Sequence, residues 1–377
     1  MPAYLDHAAT SPLRPEALAA MLPYLTEHFG NPSGSHAVAR RARDAVEGAR
    51  ESVARNLRCT PGEVVFTSGG TEACNLAVLG VHAAVGGEVR CSAFEHHAVL
   101  DTCLSLGPGA STVPVGADGV VDLDVLADAL HPGVRLVSLM LANNEVGTIQ
   151  PLAEAVRLVR ELAPDALVHS DAVAAGAWLG PEQSALGAGA DLVSLGAHKF
   201  GGPKGVGALV VHSGARLGRV LHGGPQERER RPGTHDVAAI VGMAAALEVA
   251  SSRRSEEWAA VEARRDRFAQ GLVDAVPGLT LTAPGSPKLP GSCHVGIGGI
   301  HQEELLVLLD DAGVCASAGS ACASGAMEPS HVLLAMGMSP EAARQAVRFT
   351  LGWTTSDDDV DVALAAVAKS VEQLRRT

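Results

Sequence analysis

The segment Ser194-Leu195-Gly196-Ala197-His198-Lys199-Phe200-Gly201-Gly202-Pro203-Lys204-Gly205 joins a largely apolar run, Ala190–Leu195, to a glycine-rich turn. The run reads as a buried strand, which delivers Lys199 to a strand end rather than to an open loop. Desolvation at such a place disfavours the ammonium form and leaves a nucleophilic amine. That is the chemistry needed to hold a carbonyl cofactor covalently. A lysine beside glycines is more often simply exposed, so this reading depends on matching parts elsewhere in the chain.

Outward from this segment, helical and strand-like stretches alternate from about residue 15 to about 250. Val64–Thr67, Val89–Ala93, Leu136–Leu141, Leu167–Ser170, Leu192–Leu195 and Gly207–Val211 are short apolar runs. Near-continuous Val and Leu, rather than alternation with polar residues, marks strands buried on both faces. An α/β fold follows, with a mostly parallel sheet covered by helices. Pro15–Leu25 and His36–Leu57 read as amphipathic helices, and the second carries Arg40, Arg41, Arg43, Glu47, Arg50 and Glu51 on its wet face. A charged helix over Ser255–Val276 opens a stretch of different pattern, mixing the strands Leu279–Thr282, His294–Ile297 and Val347–Leu351 with helices at Gln302–Asp311 and Asp357–Arg375. The expected division is a large domain over 15–252 and a smaller α+β domain made of 1–14 and 253–377.

Composition narrows the class. The 377 residues suffice for two domains sharing a large core. Hydrophobic residues make up 47% but aromatics only 3%, so Ala, Val and Leu carry the packing. A net charge of -13 argues against direct nucleic-acid binding. Met1-Pro2-Ala3-Tyr4-Leu5-Asp6 does not read as a signal peptide, and no apolar run is long enough to cross a bilayer. The seven cysteines show neither CxxC nor disulfide spacing, which predicts reduced thiols in a cytoplasm. The histidines form no metal-binding spacing, so no metal site is expected.

Five further places carry chemistry. Gly69-Gly70-Thr71 lies where a strand hands over to a helix, a natural phosphate cradle, although an ordinary turn capped by Thr71 has the same sequence. Asp171, at the tip of Leu167–Ser170, can pair with a protonated pyridine nitrogen or serve as a loop acid. His96 follows the strand at Val89–Ala93, where an imidazole can stack on a ring or move protons, whereas His97 reads as facing solvent or a helix surface. Arg348, inside the apolar strand Val347-Arg348-Phe349-Thr350, suggests a bound carboxylate or a structural ion pair. Cys322 lies in the small-residue run Ala316–Gly325, which reads as a mobile loop presenting a reachable thiol, or as a turn with an incidental cysteine. Cys74 and Cys103 read as helix core thiols.

Taken together, these segments resemble the cysteine desulfurases of the NifS/IscS type, within the class V aminotransferase superfamily. The resemblance covers nearly the whole chain. It runs through Tyr4-Leu5-Asp6-His7-Ala8-Ala9-Thr10, Phe29-Gly30-Asn31-Pro32-Ser33, Phe66-Thr67-Ser68-Gly69-Gly70-Thr71-Glu72 and Glu95-His96-His97-Ala98-Val99-Leu100-Asp101. It continues through Asn143-Asn144-Glu145-Val146-Gly147, His169-Ser170-Asp171-Ala172, His198-Lys199, His222-Gly223-Gly224, Pro232-Gly233-Thr234 and Gly319-Ser320-Ala321-Cys322. The small-residue loop around Cys322 is similar to that of group I members.

The resemblance implies a pyridoxal 5'-phosphate transferase of fold type I, with a mostly parallel seven-stranded sheet. It implies that Lys199 carries the cofactor and moves protons, that Asp171 pairs with its ring nitrogen and that His96 stacks on the ring. Gly70, Thr71, His198 and the backbone of Gly196 would hold the phosphate, with Thr234 reaching across from the other subunit of a homodimer. Asn144 would sit near the phenolic oxygen and the substrate, and Arg348 and Asn31 would bind the substrate. Cys322 would take sulfur from L-cysteine as a persulfide, leaving alanine, and could transiently ligate an iron–sulfur cluster. An iron–sulfur scaffold, a tRNA-thiolation enzyme or a small sulfur carrier would accept the sulfur.

The sequence departs from that pattern at three places: Ala174 replaces a usual glutamine, Gly196 a frequent serine and Pro225 a common third glycine. These departures suggest a specialised desulfurase. Selenocysteine lyase, transamination and a binding protein that has kept the fold without turnover are the competing expectations. Transamination needs no nucleophilic thiol, so Cys322 speaks against it.

Overall fold

Short apolar runs and glycine-rich turns leave this chain room for many brief elements rather than a few long ones. The computed structural model describes residues 2–319 and 328–376. The chain forms β1 (Ala3–Tyr4), α1 (Pro15–Thr26), α2 (Ala37–Leu57), β2 (Val64–Thr67), α3 (Gly70–Val85), β3 (Glu88–Ser92), α4 (His97–Leu104) and β4 (Ala110–Val113). Then follow α5 (Leu123–Ala129), β5 (Val134–Ser138), α6 (Leu152–Leu162), β6 (Leu167–Asp171), β7 (Leu192–Gly196) and β8 (Gly207–Val211). The remainder comprises α7 (Val237–Ser252), α8 (Arg254–Ala275), β9 (Leu279–Leu281), β10 (Ser292–Ile297), α9 (Gln302–Asp311), β11 (Val314–Cys315), α10 (His331–Ala335), α11 (Pro340–Ala343), β12 (Ala346–Thr350) and α12 (Asp357–Leu374).

Seven strands form one sheet in the order β2-β8-β7-β6-β5-β3-β4. Strands β3 to β7 pair in parallel, and β8 and β2 close one side in antiparallel pairing. Neighbouring residues explain why these strands read as unbroken apolar runs. Leu136, Leu192 and Leu209 pack with Ala77, Val78 and Val81 of α3 on one face. Val137, Val193 and Val210, one residue later in each strand, pack on the opposite face in a core that includes Val46 and Val53 of α2 and Met243 of α7. Successive side chains alternate sides, and here both sides are dry. Burying a Val or Leu fully is worth about 1.5–3 kcal/mol, so both layers hold the sheet.

The helices owe their placement to local sequence. His36 caps α2 by accepting from Ala39 N at 3.2 Å, and Arg58 ends it in the left-handed region at φ 57. Helix α7 is almost wholly small and apolar, which lets α1 approach closely. A Cβ on Gly242 would meet Met21 Sδ at 2.6 Å. Buried charge is paired: Arg50 bonds Glu227 at 2.7 and 2.8 Å, and Glu227 also accepts from Phe66 N and His235 Nε2.

A second sheet has the order β12-β10-β9 and is antiparallel, while β1 and β11 form a parallel pair. Around them a separate apolar cluster gathers Ala3 and Leu5 with Phe268, Val295, Leu305, Phe349 and Val367. Among the described residues, no helix is long and apolar enough to cross a membrane.

Candidate active site

In a parallel sheet the carboxyl ends of several strands share one edge, and loops leaving that edge converge. Here that edge gathers the residues singled out in the sequence. Strand β6 ends at Asp171, β7 runs into a single tight turn over Ala197–Lys199, and β3 leads to His96 at the start of α4. Strand β2 leads to Gly70 and Thr71 at the start of α3, a helix of 16 residues. Together with Asn144, His198 and Arg348 these side chains line one cavity of about 310 Å³, a volume suited to a small ligand.

The Lys199 ammonium group donates to the carbonyls of Ala8 and Ala9, the latter at 2.9 Å. Segment 8–9, at the chain's start, thereby orients the amine. Asp171 is 6% exposed, and Val173 N donates to its Oδ1 at 2.9 Å. Burial pushes its carboxyl up, against the pull of that donor and of the nearby His96 and Lys199. Burial also lowers the pKa of His96, whose Nδ1 accepts from Ala98 N at 3.1 Å. The neutral ring therefore carries its proton on Nε2. His198 is likewise driven down to about 4 by burial, and its Nδ1 lies 3.2 Å from Thr10 Oγ1.

The cradle at the head of α3 admits no side chain. A Cβ on Gly70 would meet Val173 Cγ2 at 2.5 Å, so glycine is required for the α3 amides to face open space. Gly196 does not line the cavity itself, but a Cβ there would lie 3.6 Å from Gly70 N. Exposed amides and the positive end of a helix form an anion site. Asn144 Oδ1 is buried and finds no hydrogen-bond partner among the described residues. An amine, a buried acid, a neutral imidazole, an anion cradle and an unsatisfied amide oxygen around one cavity fit pyridoxal phosphate.

Arg348, 2% exposed, makes the structural ion pair that is one of its two sequence readings. Its Nη2 pairs with Asp6 Oδ1 at 2.8 Å and its Nη1 donates to Asn144 O at 3.0 Å, yet it remains part of the cavity wall. Asn31, expected at the substrate, is exposed and absent from the lining, and Thr234, which the sequence reading assigns to the site of the other subunit, is exposed as well. Cys322 lies outside the described residues, although Gly319, three residues earlier, lines the cavity.

The structure adds residues to which the sequence reading gives no site role. His97 lines the cavity rather than only facing solvent, and its ring centroid lies 4.4 Å from that of His331. His331 Nε2 bonds Glu95 O at 2.9 Å, tying α10 to the loop before α4. Glu145, also on the wall, accepts from the Ser330 hydroxyl, and burial pushes its carboxyl up. Ser330 at the start of a short helix was the available signal, but nothing in its surroundings points 185 residues back.

Comparison with known proteins agrees with this geometry. Residues 3–363 match the model of the family described as aminotransferase class-V. The chain is 41% identical over 378 residues to "Cysteine desulfurase IscS" of Dictyoglomus turgidum, covering 99% of this chain and 95% of that protein. A solved structure of a "NifS-like protein" superposes with a TM-score of 0.92 at 33% identity, covering 99% of this chain and 100% of that one. A second, "SspA in complex with cysteine", gives 0.79 at 30% identity over 94% of this chain and 99% of that one. With the cradle, the lysine and the buried acid placed as described, this chain belongs to the class-V aminotransferase family.

Proposed function

We propose that the chain is a pyridoxal 5'-phosphate-dependent L-cysteine desulfurase, converting L-cysteine to L-alanine and passing the sulfur to an enzyme cysteine. The observation that carries this reading is the gathering of Lys199, Asp171, His96 and Arg348 on one cavity at the carboxyl edge of the sheet. A desulfurase at 41% identity and a relative solved with cysteine support the substrate.

When bound, pyridoxal phosphate supplies an electron sink that lets the bond between carbon and sulfur break. Lys199 would hold it and then move a proton to and from the substrate carbon. Asp171 would hold the ring nitrogen protonated, and Gly70, Thr71, His198 and the Gly196 amide would grip the phosphate. The neutral His96 would stack on the ring and can hand on a proton from Nε2. Asn144 offers an amide beside the phenolic oxygen, and Arg348 a cation for the substrate carboxylate, with Asn31 assisting.

Cys322 is the proposed sulfur acceptor. Its thiolate attacks the substrate sulfur, the sulfur–sulfur bond forms as the carbon–sulfur bond breaks, and the electron pair stays on carbon, where a proton completes alanine. Gly319, three residues before Cys322 in the chain, is on the cavity wall.

Three finer statements belong to the same proposal. The enzyme works as a homodimer: Leu18, Leu22, Leu25 and Phe29 form an exposed apolar stripe, Phe29 at 84% exposure, that a second copy would cover while bringing Thr234 to the neighbouring site. The chain divides into 15–252 and 1–14 with 253–377, in keeping with the separate apolar cluster of the second sheet. A protein or small carrier in a reducing cytoplasm accepts the sulfur, and Cys322 could transiently ligate an iron–sulfur cluster there.

Purified protein tests the reading. It should show cofactor absorbance in the visible range and form alanine from L-cysteine, and Lys199→Ala should abolish both. Absorbance that persists in Lys199→Ala would overturn the lysine assignment.

A further inference from the structure

The anion cradle at the head of α3 has an acid built into it. Glu72 follows Thr71 in the first turn of α3 and does not line the cavity. Its Oε2 accepts from Ser68 N at 2.7 Å, which braces the turn Ser68-Gly69-Gly70-Thr71 from behind. A carboxylate in this place is attracted by the same positive helix end that attracts a phosphate. Two negative groups at one helix end repel each other, so the acid that shapes the turn also opposes the anion.

Arg231 meets that charge. Its Nε donates to Glu72 Oε1 at 2.8 Å and its Nη2 to Oε2 at 3.3 Å, a two-point contact between side chains that are 22% and 16% exposed. Burial pushes the Glu72 carboxyl up, but the bonds from Arg231 and Ser68 outweigh it and keep the acid ionised. The chain reaches this contact along a strained path. Glu227, Arg228 and Glu229 lie one after another in the left-handed region, at φ 48, 56 and 65. Residues with a Cβ adopt that conformation at a cost, and three in a row need outside support. Glu227 supplies it, held by Arg50 on α2, by Phe66 N on β2 and by His235. Strand β2 leads into the cradle, so the segment that carries Arg231 is fastened to the same strand as the turn it serves.

We propose that Arg231 is a positioning residue of the phosphate cradle: it neutralises Glu72, so that the acid braces the turn without repelling the bound phosphate. Arg231 acts through Glu72 and, like it, is absent from the cavity wall. The inference rests on the cofactor reading, because it requires a phosphate at the head of α3.

Ligands that differ only in their phosphate provide the test. The full chain freed of cofactor is titrated with pyridoxal phosphate and with pyridoxal by absorbance, and with inorganic phosphate by calorimetry. Arg231→Gln should bind pyridoxal phosphate and inorganic phosphate about tenfold more weakly than the wild type, the effect of one uncompensated charge near a dianion. It should bind pyridoxal as the wild type does. Glu72→Gln with Arg231→Gln removes both charges and should restore most of the lost phosphate affinity. Unchanged phosphate affinity in Arg231→Gln would overturn the inference. So would an equal loss for pyridoxal and pyridoxal phosphate, which marks general structural support, or a double variant as weak as the single one. If the wild type takes up no pyridoxal phosphate, the cofactor reading fails instead, and the ranking of the three proteins for inorganic phosphate still decides the role of Arg231.

Discussion

Lys199 and Asp171 were legible in the sequence because each ends a run of apolar residues, and a charged group at a strand tip has few structural uses. His331 and Glu145 were not legible, because they join the cavity through contacts made only when distant segments fold together. Ala174 illustrates a reading that needs both sources. The family pattern marks it as a missing donor, and the structure places it on the cavity wall and on that of a smaller neighbouring cavity of about 50 Å³. A longer side chain therefore has space. Ala174→Gln should tighten pyridoxal phosphate binding roughly two- to tenfold, the worth of one neutral hydrogen bond, measured by absorbance titration of cofactor-free protein. Unchanged or weaker binding would show that the site is complete without that donor.

Elements were read well where packing leaves a pattern and poorly where it does not. Strands β7 and β8 announce themselves through unbroken Val and Leu, since both of their faces are dry. Strand β4, Ala110–Val113, was passed over: it pairs only with β3 at the sheet edge and exposes Ser111 and Thr112, so no apolar run marks it. Helix α3 carries the sharpest prediction at this scale. Gly70→Ala drives a methyl group into Val173, which must shift and distort the anion cradle. Cofactor affinity should fall by at least about tenfold, and the overpacking of about 1–3 kcal/mol should also lower the unfolding temperature of the cofactor-free protein. Equal affinity in Gly70→Ala would remove the head of α3 from the phosphate-binding role. On α1, Leu22→Asp should convert a dimer to a monomer in sedimentation equilibrium, and a variant that stays dimeric would place the interface elsewhere.

At the scale of the whole molecule, three buried histidines set how stability depends on pH. His7 is held down to about 4, and His169 and His294 to about 3, each by burial. Between the unfolded histidine value of about 6.5 and these folded values, the unfolded chain binds more protons, so stability rises with pH across that window. It is full above pH of about 6.5 and is lost as pH falls, with a slope approaching about 4 kcal/mol per pH unit if all three contribute. Urea unfolding across that range checks the sign, and a flat profile would contradict it. The central claim concerns where the sulfur goes. The most direct test is peptide mass analysis after one equivalent of sulfur-labelled L-cysteine, without reductant. Alanine should appear in equal amount with one added sulfur on the peptide containing Cys322, and Cys322→Ser should bind cofactor yet acquire none. Labelled sulfur on another cysteine, or alanine formed by Cys322→Ser at the wild-type rate, would contradict the account.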